Sequence, residues 1–259
     1  MMKTFLNILA YLFVFLGMQA AGGLFFGTLL PKITGNTDIT VSSLIYAQAM
    51  AGILTLAIFY FAKWVMPERA YLRSRPYGVL MWCTIAAVGM IIPSQWVMEH
   101  LPELPNIAKH EFEILMNSPQ GYITIGLFAP VVEEVVFRGA ILRTLLESSN
   151  KHWVMIALSA LIFSVAHFNP AQLPYTFVVG LLLGWLYYRS GSILPGMVYH
   201  WVNNSIAFAI AIITKNPDIQ LADLFGGNET RVIMAIVFSL MILVPALFQL
   251  NVWMRKPTE

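Results

Sequence analysis

Long apolar runs separated by short polar connections dominate this chain. Eight stretches read as helices: roughly 4–30, 43–66, 78–98, 120–144, 153–168, 173–188, 193–214 and 231–254. A membrane-spanning helix needs about 20 mostly apolar residues at 1.5 Å rise each. The runs are continuously apolar rather than alternating, which selects helices over strands. The expected fold class is therefore all-α, a polytopic membrane bundle of about eight transmembrane helices. It forms one integral-membrane domain over residues 1–259. The first run follows Lys3 and contains Met18-Gln19-Ala20, which resembles a signal-peptide cleavage site. Its apolar character continues to Leu30, too far for a signal peptide, so a span is expected there.

Composition strengthens this picture. Hydrophobic residues make up 58% of the 259 positions and charged residues 11%, against roughly 45–50% and about 25% in soluble domains. Disorder is excluded on the same numbers. The single cysteine excludes an internal disulfide framework and a Cys-rich zinc site. A net charge of +2 gives no nucleic-acid footprint. The expected partner on these grounds is the lipid bilayer, with no nucleic acid.

Lys and Arg in the connections set orientation. Lys63, Arg69, Arg73, Arg75, Arg143, Lys151, Arg189, Arg255 and Lys256 fall on one side with Lys3 if there are eight spans. The other side pairs Lys32, Lys109, Lys215 and Arg231 with acidic residues such as Asp38, Glu99 and Asp218. Both termini are then cytoplasmic. The connection 99–119 mixes charges with Ile107, Phe112, Ile114, Leu115 and Met116, as an interfacial amphipathic segment would. Gly23 with Gly27, and Gly180 with Gly184, have the small-xxx-small spacing of close helix packing. His100, His110 and His152 lie near span ends, and Cys83 reads as a small core residue. Asn228-Glu229-Thr230 matches a glycosylation sequon.

Three polar groups lie where polarity is expensive. The first is Glu133-Glu134-Val135-Val136-Phe137-Arg138 in the fourth run. Glu134 and Arg138, four apart, share a helix face and can pair. Glu133 is rotated about 100° away and has no partner on its own helix. A carboxylate without a partner on its own helix is a candidate general base. Pro130 precedes the pair and can kink or restart the helix.

The second group is Phe163-Ser164-Val165-Ala166-His167, with ring and imidazole one turn apart. The uncharged turn Phe168-Asn169-Pro170-Ala171-Gln172-Leu173-Pro174 follows. Its flanking runs are about 16 residues each, about 24 Å of helix, short of a bilayer core of about 30 Å. The turn is expected to dip into the protein and carry His167 toward the middle of the bundle. The third group, His200-Trp201-Val202-Asn203-Asn204, puts His200 and Asn204 on one face.

Taken singly, each group has an ordinary explanation. A lone His in a membrane helix is usually bonded to a neighbouring helix, and Glu134 with Arg138 can be structural. Two carboxylates, two histidines and an amide from three helices are harder to explain as packing and predict a polar cavity with catalytic groups. No Gly-x-Ser-x-Gly, Cys–His pair or His-Glu-x-x-His is present. Two water-activating readings remain open. In one, Glu133 and His167 deprotonate water, and His200 and Asn204 donate to the oxyanion. In the other, Glu133, His167 and His200 bind one zinc with an open position.

Glu-Glu-x-x-x-Arg at 133–138, Phe-x-x-x-His at 163–167 and His-x-x-x-Asn at 200–204 resemble the three motifs of the CPBP intramembrane protease family. The family is also called CAAX protease/bacteriocin-processing, or Abi. Gly191-Ser192-Ile193-Leu194-Pro195 also looks like that family. The resemblance covers about residues 120–210, the catalytic core, and no signature residue departs from it. It implies an eight-helix bundle with a hydrophilic cavity and peptide-bond hydrolysis, with a membrane-associated peptide or protein as partner. It implies Glu133 as base with His167, oxyanion stabilisation by His200 and Asn204, and Glu134, Arg138 and Phe163 as orienting residues. It puts metal-free hydrolysis first, with no cofactor, and leaves zinc on Glu133, His167 and His200 as the alternative. The implied roles include bacteriocin or peptide maturation and self-immunity, in a bacterial plasma membrane. A non-proteolytic scaffold or regulator of a sensor or bacteriocin is a second reading, and an ion-coupled transporter a third.

Overall fold

The computed structural model describes residues 2–35, 40–65, 76–216 and 218–254. Every regular element among them is helical. The main helices are α1 (Met2–Thr34), α2 (Val41–Phe61), α3 (Tyr77–Glu99) and α4 (Lys109–Met116). They continue with a composite α5 over 123–148, α6 (His152–Val165), α7 (Leu173–Ser190), α8 (Leu194–Thr214) and α9 (Glu229–Trp253). Each of the eight apolar runs is thus a helix, and the short α4 lies in the connection between the third and fourth.

Their outer faces are apolar. On α9, Phe238 is 63% exposed and Met241 65%, a surface that water would not tolerate over such an area. The chain is an integral, multi-pass membrane protein. Among the described residues, five helices are long and apolar enough to cross a bilayer: α1, α2, α3, α8 and α9. The remaining runs differ for physical reasons. The 14 residues of α6 reach about 21 Å, and α5 carries Glu133, Glu134 and Arg138. The expected count of eight spans therefore exceeds what length and composition support. Arg69, Arg73, Arg75, Arg255, Lys256 and Asp38, used for orientation, lie outside the described residues.

Two apolar cores hold the bundle. One packs Cys83, Ala86 and Ala87 of α3 with Leu183 of α7, Tyr199 of α8 and Ala246 of α9. The other packs Tyr11 and Phe15 of α1 and Phe59 of α2 with Val136, Phe137 and Ile141 of α5 and Phe163 of α6. Small residues set the close crossings. A Cβ on Gly180 would lie 3.0 Å from Ala160 Cβ, and one on Gly184 2.9 Å from Ile156, so the α6–α7 contact is the expected glycine face. Gly23 and Gly27 are different: a Cβ there meets nothing within 4 Å. The close approach of α1 to α2 is instead at Gly22, where a Cβ would lie 2.5 Å from the Ala47 carbonyl oxygen.

The connection 99–119 packs onto the bundle. Met116 is buried beside Phe208 and Ala211 of α8. Lys109 Nζ sits 2.8 Å from Asp218, whose hydrogen bond and charge hold the ammonium above its ordinary range. The sequon has another use: Asn228 caps α9 by accepting a hydrogen bond from the Arg231 N–H at 3.1 Å.

Candidate active site

The site begins with an irregular helix. In α5, Pro130 opens the short α-helical segment Ala129–Glu133, between π-helical segments Ile123–Phe128 and Glu134–Leu142. Proline lacks the N–H that an α-helix would direct to the carbonyl four residues back, and wider i→i+5 turns occupy both sides of it. Glu133 closes the α-helical segment and Glu134 opens the second π-helical one. Both meet His200 of α8. Its Nδ1 is 3.3 Å from Glu134 Oε1, and its Nε2 is 3.7 Å from Glu133 Oε2. The expectation that Glu133 lacks a partner holds only within its own helix.

Behind Glu133 lies a buried ion pair. Arg138 Nη1 donates to Glu134 Oε1 at 3.0 Å, with both side chains about 1% exposed or less. Arg138 Nη2 donates to the Gly180 carbonyl at 3.3 Å. The guanidinium lies 4.4 Å from the centroid of the Phe163 ring, a favourable cation–π distance. Glu134 and Arg138 thereby link α5 to α7 and α8, joining the two apolar cores through charge-assisted hydrogen bonds.

Gly196 makes room for this pair. A Cβ there would lie 2.6 Å from Glu134 Oε2. Gly196→Ala should gain up to about 1 kcal/mol of helix propensity and lose about 1–3 kcal/mol to overpacking. The carboxylate is pinned at its other oxygen, so the loss should dominate. The expected result is a lower thermal midpoint in detergent; an unchanged or higher midpoint would show that the carboxylate moves freely.

His167 ends α6 in a defined state. Its Nδ1 lies 2.8 Å from the Phe163 carbonyl oxygen. A carbonyl only accepts, so Nδ1 carries the proton, and in the neutral ring Nε2 is an acceptor. The imidazole also stands edge-on to the Phe163 ring at 4.8 Å. The turn beyond it is strapped by the 99–119 connection. Asn169, buried, accepts from the Ile107 N–H at 3.3 Å and donates to Asn106 at 2.9 Å. The Ala171 N–H donates to the Pro105 carbonyl at 3.2 Å. Protein groups thus satisfy this irregular backbone, as membrane burial would demand.

Glu133 and His167 border one cavity of about 410 Å³, together with Phe15, Gln19, Gln48 and Phe137. A second space of about 30 Å³ lies against Glu133, Thr124, Gln19 and Gln48, large enough for a water. The first falls in the range of ligand sites, about 300–1,000 Å³. His200 and Asn204 are not among the residues that line either space. His200 lies behind Glu133. Asn204 Nδ2 donates to the Ile125 carbonyl in the first π segment at 3.0 Å, while Asn203 accepts from Tyr175 OH at 2.8 Å.

Among the described residues, no three His, Cys, Asp or Glu side chains are arranged to hold a metal ion. Gln19, part of the cleavage-like triplet, and Gln48 carry one sequence signal, an isolated amide inside each of two apolar runs.

Residues 116–206 match the family described as type II CAAX prenyl endopeptidase Rce1-like. The match includes all three motifs and spans a little over a third of the chain. No curated protein and no solved structure matches the chain.

Proposed function

From a chain whose residues 116–206 are of the CPBP/CAAX protease family, we propose an intramembrane endopeptidase that hydrolyses a peptide bond of a membrane-associated peptide or protein. The observation that carries this reading is the shared cavity. Glu133 and His167, from separate helices, face one space large enough for a peptide segment, beside a smaller one with room for water.

The chemistry follows from the proton positions. A water beside Glu133 gives a proton to the carboxylate as its oxygen attacks the peptide carbonyl carbon. The carbonyl π electrons move to oxygen. His167 Nε2, left free by the Nδ1 bond to Phe163, accepts a hydrogen bond from the water's other O–H and so aims its oxygen at the carbonyl carbon. Glu133 then returns its proton to the leaving amine as the C–N bond breaks, which restores the carboxylate. His200 steadies both carboxylates from behind. The second Nδ2 hydrogen of Asn204 is the remaining candidate for an oxyanion donor. No step requires a metal.

The test is hydrolysis by detergent-purified protein, read by mass spectrometry on prenylated CAAX peptides and unprenylated membrane peptides, with and without a strong chelator. We expect cleavage by wild type, insensitivity to chelator, and loss of at least about 100-fold in His167→Ala. Chelator inactivation rescued by zinc would replace this mechanism with a metal one. No cleavage by folded wild type, with cellular function retained in Glu133→Gln, would replace it with a membrane scaffold or regulator. Cleavage of peptides tied to bacteriocin maturation or self-immunity, rather than of prenylated tails, would place the role there.

A further inference from the structure

The cavity has polar groups that the mechanism does not use. Gln19 is the only amide of α1 beyond Asn7, and Gln48 the only amide of α2. Both line the cavity of about 410 Å³ with Glu133 and His167, and both also border the water-sized space against Glu133. Among the described residues neither side chain has a hydrogen-bond partner. Their proximity is built into the helix crossing: Gly22, one turn beyond Gln19, meets the carbonyl of Ala47, the neighbour of Gln48, so closely that a Cβ would lie 2.5 Å from it.

A primary amide in an apolar helix is costly without a partner. Both residues line the same space as Glu133, Gln19 half-buried and Gln48 exposed. The chemistry of a peptide main chain explains the choice of residue. An extended segment presents N–H donors and C=O acceptors in alternation, and inside a bilayer each needs a partner. A carboxamide offers both a donor and an acceptor. It carries no charge, so it neither repels Glu133 nor competes for its proton. The rest of the wall, including Phe15, Leu16 and Phe137, is apolar and suits side chains rather than main chain.

We infer that Gln19 and Gln48 bind the main chain of the substrate peptide, holding it extended between α1–α2 and the α5–α6 wall with its scissile carbonyl toward Glu133 and His167. This rests on the peptide-hydrolysis reading above. Specificity then has two parts: sequence-tolerant main-chain bonds from the two amides, and apolar pockets for side chains.

The experiment separates binding from cleavage. Full-length Glu133→Gln protein is titrated with a fluorescent farnesylated CAAX peptide and with an unprenylated apolar membrane peptide, read by anisotropy. Gln19→Leu and Gln48→Leu, each added to that background, should weaken binding about tenfold, the loss of one hydrogen bond to a buried partner. A peptide N-methylated at the bonded amide should bind the parent about tenfold more weakly and lose nothing further in the leucine variant. Leucine replaces an unpartnered amide, so the variants should melt no lower than the parent, and Gln48→Met serves as a second apolar replacement. In the Glu133-intact protein the same changes should raise KM about tenfold and leave kcat within about threefold.

Unchanged affinity in both leucine variants would overturn the inference, as would equal losses for methylated and unmethylated peptides, or failure of both peptides to bind. Cleavage by wild type with KM unaffected by either variant would overturn it while leaving the protease reading intact. Glutamine-dependent binding without any cleavage would instead overturn the protease reading and keep the peptide site.

Discussion

Glu133→Gln should reduce peptide hydrolysis by about 10²–10⁴-fold, the usual contribution of a general base, and leave the fold standing. The substitution keeps shape and removes the proton-accepting charge. Glu133 borders the cavity and its side chain is 18% exposed, with His200 Nε2 3.7 Å away. A neutral amide is tolerated in such a place, so the thermal midpoint in detergent should stay within a few degrees of wild type. Turnover of a peptide that wild type cleaves, measured beside the melting curve, decides the matter. Activity within tenfold of wild type would remove Glu133 from the role of base.

The neighbouring carboxylate should behave in the opposite way. Arg138→Ala should destabilise the protein by about 3–5 kcal/mol, the cost of removing one partner of a buried pair. Glu134, fully buried, would keep a charge facing only His200. The variant would also lose the bond to the Gly180 carbonyl and the contact with Phe163. The double change Glu134→Leu with Arg138→Met should recover most of the loss, because an apolar pair of similar volume needs no charge compensation. Arg138→Lys should fall between them, keeping charge but not the planar fork. Midpoints of unfolding for the three variants give the order. If Arg138→Ala melts like wild type, the pair does not hold the two cores together. Two adjacent glutamates would thus separate by phenotype, one through rate and the other through stability.

That separation shows how far the sequence reaches. The pairing of Glu134 with Arg138 was legible because four residues return a helix to the same face, and the structure forms that pair even within a π-helical segment. Phe163 and His167 were legible for the same reason. Gly180 and Gly184 were legible as a packing face, whereas Gly23 and Gly27 have identical spacing and a Cβ on either would meet no neighbouring helix within 4 Å. Spacing shows which residues share a side, and not whether a helix lies against that side. Gln19 was obscured by a cleavage-like triplet, since an isolated amide has no period to betray it.

The sequence by itself determined an all-helical membrane protein, the places of its eight helical runs and the residues of the three motifs. Apolar length and helical period are local properties, and a chain carries them before it folds. Only the tertiary structure decided that α5 widens around Pro130 so that His200 meets both Glu133 and Glu134. The same holds for the direction in which the α6–α7 turn is strapped and for the sharing of one cavity by Glu133, His167, Gln19 and Gln48. Those relations join residues far apart along the chain, up to 148 positions between Gln19 and His167. They depend on how α1, α2, α5 and α6 pack around a common space, which no local pattern encodes.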